Sequence, residues 1–566
     1  MDIKKEIVSI LKNQLKEFTK ENIDFLVEEP ESENFGDYSS NVTLVASRIL
    51  KKNPFDLASE LAEEIKSQKL EFIEDVKPAK PGFINFYLSK NYFVSQLKEI
   101  LKQKEKFGSK NEDLNKKVVV EYSSPNIAKP FTVGHLRSTI IGDAISNLLQ
   151  ANGWKVFRDN HIGDWGTQFG KQIYAIKTWG DEKKIELAEN PVKELVFLYV
   201  KFHEEAEKDP GLEDKARIWF KKLEDGDVEA RRLWKKCIDW SLKEFKKIYE
   251  DLGIEFTENN GLGYSEAFFE DKLKPVVQEL KDKKLLKESE DAQLVFFPED
   301  KFPPLMILKK DGATLYSTRD LATDKFRLEK YGKDVLIINE VGNEQSLYFN
   351  QLFETEKMLD WVKDGQRIHV KHGLYRFKEE KMSTRKGNTI WLEDVLEEAE
   401  KRALDLSPEK DKKIAKQVAI GAIRWNDLKR NSNLDIVFDW DEILNMQGDS
   451  GPYVQYSYVR TQSVLKKAGE VDFEKIQLDK LEAEEISLLR FLDKFQEIIK
   501  KAGENFAPNI LCNYLFDLSQ KFNLFYQKCK IIGSENQEFR LALTAGAGQV
   551  LKNGLNLLGI EAPEKM

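Results

Sequence analysis

Two short stretches carry residues whose types and spacing could do chemistry. In EYSSPNIAKPFTVGHLRS, residues 121–138, a polar loop holding Pro125 and Pro130 runs into Thr132, Gly134 and His135. Leu136, Ile140, Ala144, Ile145 and Leu148 then recur at helical spacing. A helix starting near Gly134 and His135 turns its free N–H groups toward whatever the loop holds. That is a seat for polyphosphate, because a helix start offers donors and partial positive charge. Gly134 admits a ligand close to the backbone, and His135 can donate to a phosphate oxygen without carrying a full charge. In EEKMSTRKGNTIWLEDV, residues 379–395, Lys381, Arg385 and Lys386 gather on a glycine-containing loop that suits a departing polyphosphate.

The elements that must hold these loops are strands of a parallel sheet. Val118, Val119 and Val120 form a short β-branched run ahead of the first loop. WKVFRDNHIGDWGTQFGKQI gives a second strand and a glycine-punctuated turn. Its GTQFGK fails as a phosphate loop, since the spacing is wrong and Gln172 follows Lys171. PLMILKKDGATLYSTRDLATDKF reads as strand, turn and helix, and DVLIINEVGNEQSLYF as a buried parallel-type strand entering a polar loop. Ligands in open sheets of this kind sit beyond the carboxyl ends of the strands, where strand order reverses. The candidates therefore fall at residues 121–135, 316–320 and 343–345. Between about Lys183 and Leu252 the chain is charged and helical, an insertion that splits the nucleotide fold. GLGYSEAF lacks the third glycine and the preceding strand of a dinucleotide fingerprint.

Length and composition bound the rest. A chain of 566 residues needs several domains, and 41% hydrophobic with 11% aromatic residues fills packed interiors. Cys237, Cys512 and Cys529 are too scattered for a disulfide framework or a zinc cluster, and the five histidines add no HExxH pair, so no metal ligand set is expected. No apolar run reaches a membrane span and the N-terminus holds no cleavable apolar segment, so a soluble, cytoplasmic protein is expected. A net charge of −9 argues against an indiscriminate polyanion binder while leaving a specific RNA ligand open. Residues 1–110 read as a small α/β module, with ENIDFLVEEP and PGFINFYLS strand-like and the charged run at 102–117 a linker. Residues 111–405 read as the parallel-sheet part with its insertion at about 183–252, and residues 406–566 as a helical domain. In that domain Phe522, Phe525 and Tyr526, at helical spacing, read as core rather than as a base-stacking platform.

Taken whole, EYSSPNIAKPFTVGHLRS closely resembles the signature loop of class I aminoacyl-tRNA synthetases, and among these the arginyl enzymes. Residues 132–135, TVGH, stand in the place of the HIGH motif, with Thr132 replacing its first histidine. Residues 381–385, KMSTR, stand in the place of the KMSKS loop, with Thr384 where a second lysine is common. NFGDYSSNV, PGFINFYL, NHIGDWGTQFG, GPYVQYSYVRTQ and RLALTAGAGQVLKNGLNLLGIEAPEKM extend the resemblance in order over essentially the whole chain.

The resemblance implies a split Rossmann-type catalytic core, an N-terminal α/β domain on the tRNA elbow and a C-terminal helical anticodon-binding domain. It implies activation of L-arginine with ATP and Mg²⁺, without zinc, and transfer to tRNA(Arg), with a monomer as the default. His135, Lys381 and Ser383 take the catalytic positions. Lys129, Thr132, Gly134, Met382 and Arg385 join them around ATP. Arg385, Lys386 and Lys129 each remain candidates for the charge absent at Thr384. Glu121, Asn126, Tyr316, Asp320 and Gln345 match the arginine-contacting positions. A planar, permanently charged substrate needs such carboxylates, and a neutral amino acid would leave them buried and unpaired. A reacting carboxylate is already an anion, so no general base is required, and catalysis consists of positioning and charge stabilisation. Two other readings stay open at this point: another class I ligase such as the cysteinyl enzyme, and a non-catalytic RNA-binding relative.

Overall fold

The computed structural model describes residues 3–289, 292–310, 312–377, 390–407, 409–469, 476 and 481–566. These form two units, one of residues 1–107, 465–494 and 524–549 and one of residues 108–464, 495–523 and 550–566.

The first unit is built on a four-stranded antiparallel sheet in the order Val27–Glu28, Tyr38–Ser40, Phe83–Leu88, Ile73–Ala79. Its helices each bury one stripe, as Ile3, Ile7, Leu11 and Leu15 do in Ile3–Phe18. Pro54 opens the helix Pro54–Ser67, and the Asn53 side chain caps it by accepting from the N–H groups of Phe55 and Asp56. Helix Ala483–Asp493 packs on Lys90–Gln103, where the Tyr92 hydroxyl donates to Asp493 at 3.0 Å and Arg490 meets Asp37 at 2.9 Å. ENIDFLVEEP is strand for only two residues, because the Leu26 N–H goes to the Asn41 side chain at 2.8 Å rather than to a ladder. The charged run at 102–117 is not a free linker. Helix and a 3₁₀ turn continue to Lys106, Phe107 is buried, and a strand begins at Asp113.

The second unit holds a four-stranded parallel sheet in the order Arg367–His372, Leu336–Gly342, Asp113–Glu121, Trp154–Asp159. Val118, Val119 and Val120 are fully buried, as a central strand covered on both faces must be. From Asp113–Glu121 the chain passes through helix Val133–Ala151 to Trp154–Asp159 on one side, and later sets Leu336–Gly342 on the other. Strand order thus reverses between the two central strands, and sheets of this kind bind ligands beyond such a point, here past Glu121 and Gly342. Helices Glu182–Leu187, Pro191–Lys208, Gly211–Glu224 and Val228–Leu252 fill the segment between the two halves of the sheet.

One strand differs from expectation. Leu305–Leu308 is no part of the parallel sheet. It is the edge of a separate antiparallel sheet with Leu286–Ser289 and Ala292–Val295. Its job is local: the carbonyls of Met306 and Ile307 accept the hydroxyls of Ser317 and Thr318 and so fix the start of helix Tyr316–Tyr331. That helix packs Leu321 and Ala322 against Leu305, Ile307 and Phe349, which turns its polar stripe of Asp320, Asp324 and Arg327 toward the strand ends. Beyond residue 400 the described chain is nearly all helix. Phe522 and Phe525 are buried there as core, while Tyr526 is exposed.

Candidate active site

The strand Asp113–Glu121 ends in a loop strained at two points, with Ser123 and Ala128 both at positive φ, 56° and 58°. Such backbone persists only where surrounding contacts over-determine it. Here Ser123 donates its N–H to Ser138, and Ala128 donates its N–H to Ser241 at 3.0 Å. Asn126 forms a bridge with Gly163, and a side chain at Gly163 would place its Cβ 2.2 Å from Asn126 Oδ1. Gly163, passed over as a simple turn residue, is therefore what lets the Asn126 loop lie against 161–163.

The loop delivers Thr132 as the N-cap of helix Val133–Ala151, one residue earlier than expected. The Thr132 N–H donates to His135 Nδ1 at 3.0 Å. The imidazole proton is thereby confined to Nε2, and burial pulls the His135 pKa below its ordinary value. Its remaining ring donor is then Nε2–H. Thr132 Oγ lies 3.1 Å from the same Nδ1, so the residue that replaces a histidine helps to hold the remaining one. Gly134 is exposed at this first turn and Lys129 is half-buried in the loop before it. Behind the turn Arg137 is locked by Asp427 at 2.9 Å and by the carbonyls of Leu434 and Ser432. Residues 390–392 pair with 131–133: Val133 donates to Ile390, and Leu392 to Phe131. Lys381, Met382, Ser383 and Arg385 lie outside the described residues.

At the neighbouring strand ends the chemistry is ionic. Glu121 is buried and its Oε2 lies 2.6 Å from Arg327 Nη1. Burial alone would raise this carboxyl, but the guanidinium and His161 outweigh it and hold Glu121 below the usual range. Asp320, two helical turns before Arg327, accepts the Tyr348 hydroxyl and faces His161 Nε2 at 3.6 Å. Burial pushes Asp320 up to about 6, against the pull of His161 and Tyr348. His161 turns its Nδ1 to the Tyr264 carbonyl at 3.2 Å. Burial disfavours its charge, yet Glu121, Asp320 and Glu266 raise its pKa above the ordinary value. Deeper in, Arg327 reaches Asp159 at 2.7 Å and Asp324 at 3.3 Å, and Arg367 reaches Asp324 at 2.7 Å and Glu356 at 3.3 Å. Five carboxyl groups thus gather around the two guanidinium groups: Arg327 holds Glu121 below the usual range and Arg367 and Arg327 hold Asp324 there, while burial raises Asp159, Asp320 and, most of all, Glu356.

Glu121 and Asp320, far apart in the chain, are close enough that the Glu121 charge helps to raise the pKa of Asp320. Tyr316 reaches them through Tyr348, ring centroids 4.8 Å apart, while remaining largely exposed. Gln345 is exposed in the turn after the Leu336–Gly342 strand, and no described contact ties it to the carboxylates. His161, Arg327 and Tyr348 escaped the sequence reading. His161 stood in a block explained as glycine turns, and Tyr348 stood near the end of DVLIINEVGNEQSLYF, read only as a strand entering a polar loop. Arg327 had a usable signal, since it follows Asp320 by seven residues and so shares its helix face.

The comparisons with known proteins cover the chain end to end. Residues 1–88 match the Arginyl tRNA synthetase N terminal domain, residues 96–440 the tRNA synthetases class I (R) catalytic domain, and residues 454–566 the DALR anticodon binding domain. Arginine–tRNA ligases of Clostridium kluyveri and Clostridium botulinum are 43% and 41% identical over 100% of both chains. A crystal structure of Plasmodium falciparum arginyl-tRNA synthetase superposes with a TM-score of 0.82 at 28% identity, covering 100% of this chain and 99% of that one. The Thermus thermophilus enzyme shares the fold, with a TM-score of 0.80 at 24% identity over 100% of both chains. With matches to one family running from the first residues to the last, the chain belongs to the class I arginyl-tRNA synthetases.

Proposed function

We propose that Glu121 and Asp320 hold the substrate guanidinium, with Asn126, Tyr316 and Gln345 around it, while the Thr132–His135 turn receives ATP. The observation that carries this reading is the acid-rich strand end at Glu121 and Asp320, set beside a helix start whose donors are neutral. The reaction is that of an arginine–tRNA ligase: the arginine carboxylate attacks the α-phosphorus of ATP, pyrophosphate leaves, and the arginyl group passes to the 3′ adenosine of tRNA(Arg) with release of AMP. His135 Nε2–H donates to a phosphate oxygen as charge builds there. Lys381, Met382, Ser383, Arg385 and Lys129 are assigned to the phosphates on the sequence pattern. Among the described residues no group of three or more His, Cys, Asp or Glu converges as a metal cage, so Mg²⁺ is assigned to the ATP phosphates and water. Residues 1–110 are assigned to the tRNA elbow and residues 406–566 to the anticodon. No described helix is long and apolar enough to cross a membrane.

The test is Asp320→Asn in an aminoacylation assay. Loss of one buried carboxylate–guanidinium pair should raise the KM for arginine by roughly 100-fold or more, as about 3 kcal/mol implies, with the KM for ATP nearly unchanged. Equal damage to both would remove Asp320 from the arginine pocket.

A further inference from the structure

The arginine pocket already contains an arginine that belongs to the protein. Glu121 and Asp159 are direct neighbours on adjacent parallel strands, each the last residue of its strand, so two carboxylates leave the sheet at the same level. Like charges so placed repel strongly when buried. Arg327 bridges them, with Nη1 at 2.6 Å from Glu121 and Nη2 at 2.7 Å from Asp159, and its side chain is 1% exposed. It is also met by Asp324, which Arg367 anchors in turn from the edge strand Arg367–His372.

We propose that Arg327 is the positioning residue for arginine recognition, fixing Glu121 so that one carboxylate oxygen is taken by the enzyme's own guanidinium and the other is presented to the substrate's. This rests on the reading of Glu121 as an arginine contact and adds what sets its orientation. A carboxylate accepts two guanidinium groups side by side only if each keeps to its own oxygen. In this role Arg327 acts through Glu121, with both of its terminal nitrogens already taken by carboxylates. Its fork geometry matters as well as its charge, because a lysine offers a point cation that cannot span both acids. Asp159 completes the device by occupying Nη2, which keeps the guanidinium from rotating into the pocket.

The experiment is a double-mutant cycle in aminoacylation with Glu121→Gln, Arg327→Gln and the pair, run with Arg327→Lys as a second route. If Arg327 acts through Glu121, each single variant raises the KM for arginine by about tenfold or more and leaves the KM for ATP within about twofold. The pair is then no worse than about twofold beyond the poorer single variant. Multiplying effects, or an Arg327→Gln enzyme with an unchanged KM for arginine, overturn the inference. Should Arg327→Gln fail to fold, the same cycle with Arg327→Lys decides it, and again multiplying effects count against the proposal. A Glu121→Gln enzyme with a normal KM for arginine would instead overturn the underlying assignment of Glu121, whatever Arg327 does.

Discussion

Arg327 and Arg232 are each strung between two carboxylates at nearly equal distances. The first lies 2.6 and 2.7 Å from Glu121 and Asp159, the second 2.7 Å from both Glu182 and Glu229. Arg327 is 1% exposed and Arg232 40%. Distance therefore says little about what a pair is worth. In the helical insertion, water screens Arg232 and solvates either partner when the other is lost. At the strand ends Glu121, Asp159 and Asp324 are buried with Arg327, so a group that loses its partner there is poorly solvated. The exposed pair is a local tie between helices, whereas the buried one fixes two acids at the ends of adjacent strands.

The largest expected difference is in stability. Arg327→Gln leaves Asp159 and Glu121 as buried carboxyl groups without their guanidinium partner, while Asp324 keeps Arg367, and should lower the unfolding free energy of its unit by about 3–5 kcal/mol. Denaturant unfolding followed by tryptophan fluorescence measures it. A loss below about 1 kcal/mol would mean that water already reaches the strand ends.

Next in size is the response to pH. Asp320, raised to about 6 by burial, must be ionised to pair with a guanidinium. It is faced by Tyr348, His161, Glu121 and Asp324, and protonation of His161 below its own raised pKa also disfavours an incoming cation. The KM for arginine should rise about tenfold per pH unit below 6, with the KM for ATP changing less. The empty protein moves the other way at this group. Its folded pKa is above the unfolded value of 3.8, so ionisation of Asp320 costs stability above pH 6, and that cost is relieved as pH falls toward 4. A flat arginine KM between pH 7 and 5 would show that Asp320 is ionised throughout and that the site is wetter than its burial indicates.

How much of this was legible in the sequence differs between the two sides of the crevice. The Thr132–His135 turn depends on local order: prolines, a strand of three valines and a helix with regular apolar spacing. Its helix start was read one residue late, and the Thr132–His135 hydrogen bond was not read at all. The acid-rich side depends on contacts across the fold. Asp159 meets Arg327 at a separation of 168 residues, which no local pattern encodes, and His161 sat in a glycine-rich block that suggested only turns. The strand Leu305–Leu308 was legible as a strand but not as a member of another sheet, because four apolar residues satisfy either partner. Lys381–Arg385 contributed the strongest second motif in the sequence, and their placement lies outside the described residues.

The smallest effect belongs to Arg232. Its hydrogen bonds hold Glu182 and Glu229 down at about 2, which would be a large stabilisation if taken at face value. All three side chains are about a third exposed, however, so solvent screening reduces the net contribution. Arg232→Gln should cost less than about 1 kcal/mol at pH 7, and the deficit should shrink further in 1 M salt, where the screening length falls to about 3 Å. Because the folded carboxyls titrate below their unfolded value of 4.5, whatever the pair contributes is present above that pH and fades as pH falls toward 2. That is opposite in sign to Asp320. A salt-insensitive loss of several kcal/mol in the Arg232 variant would mean that the insertion excludes water as the crevice does, and the contrast between the two arginines would then lie in sequence position alone.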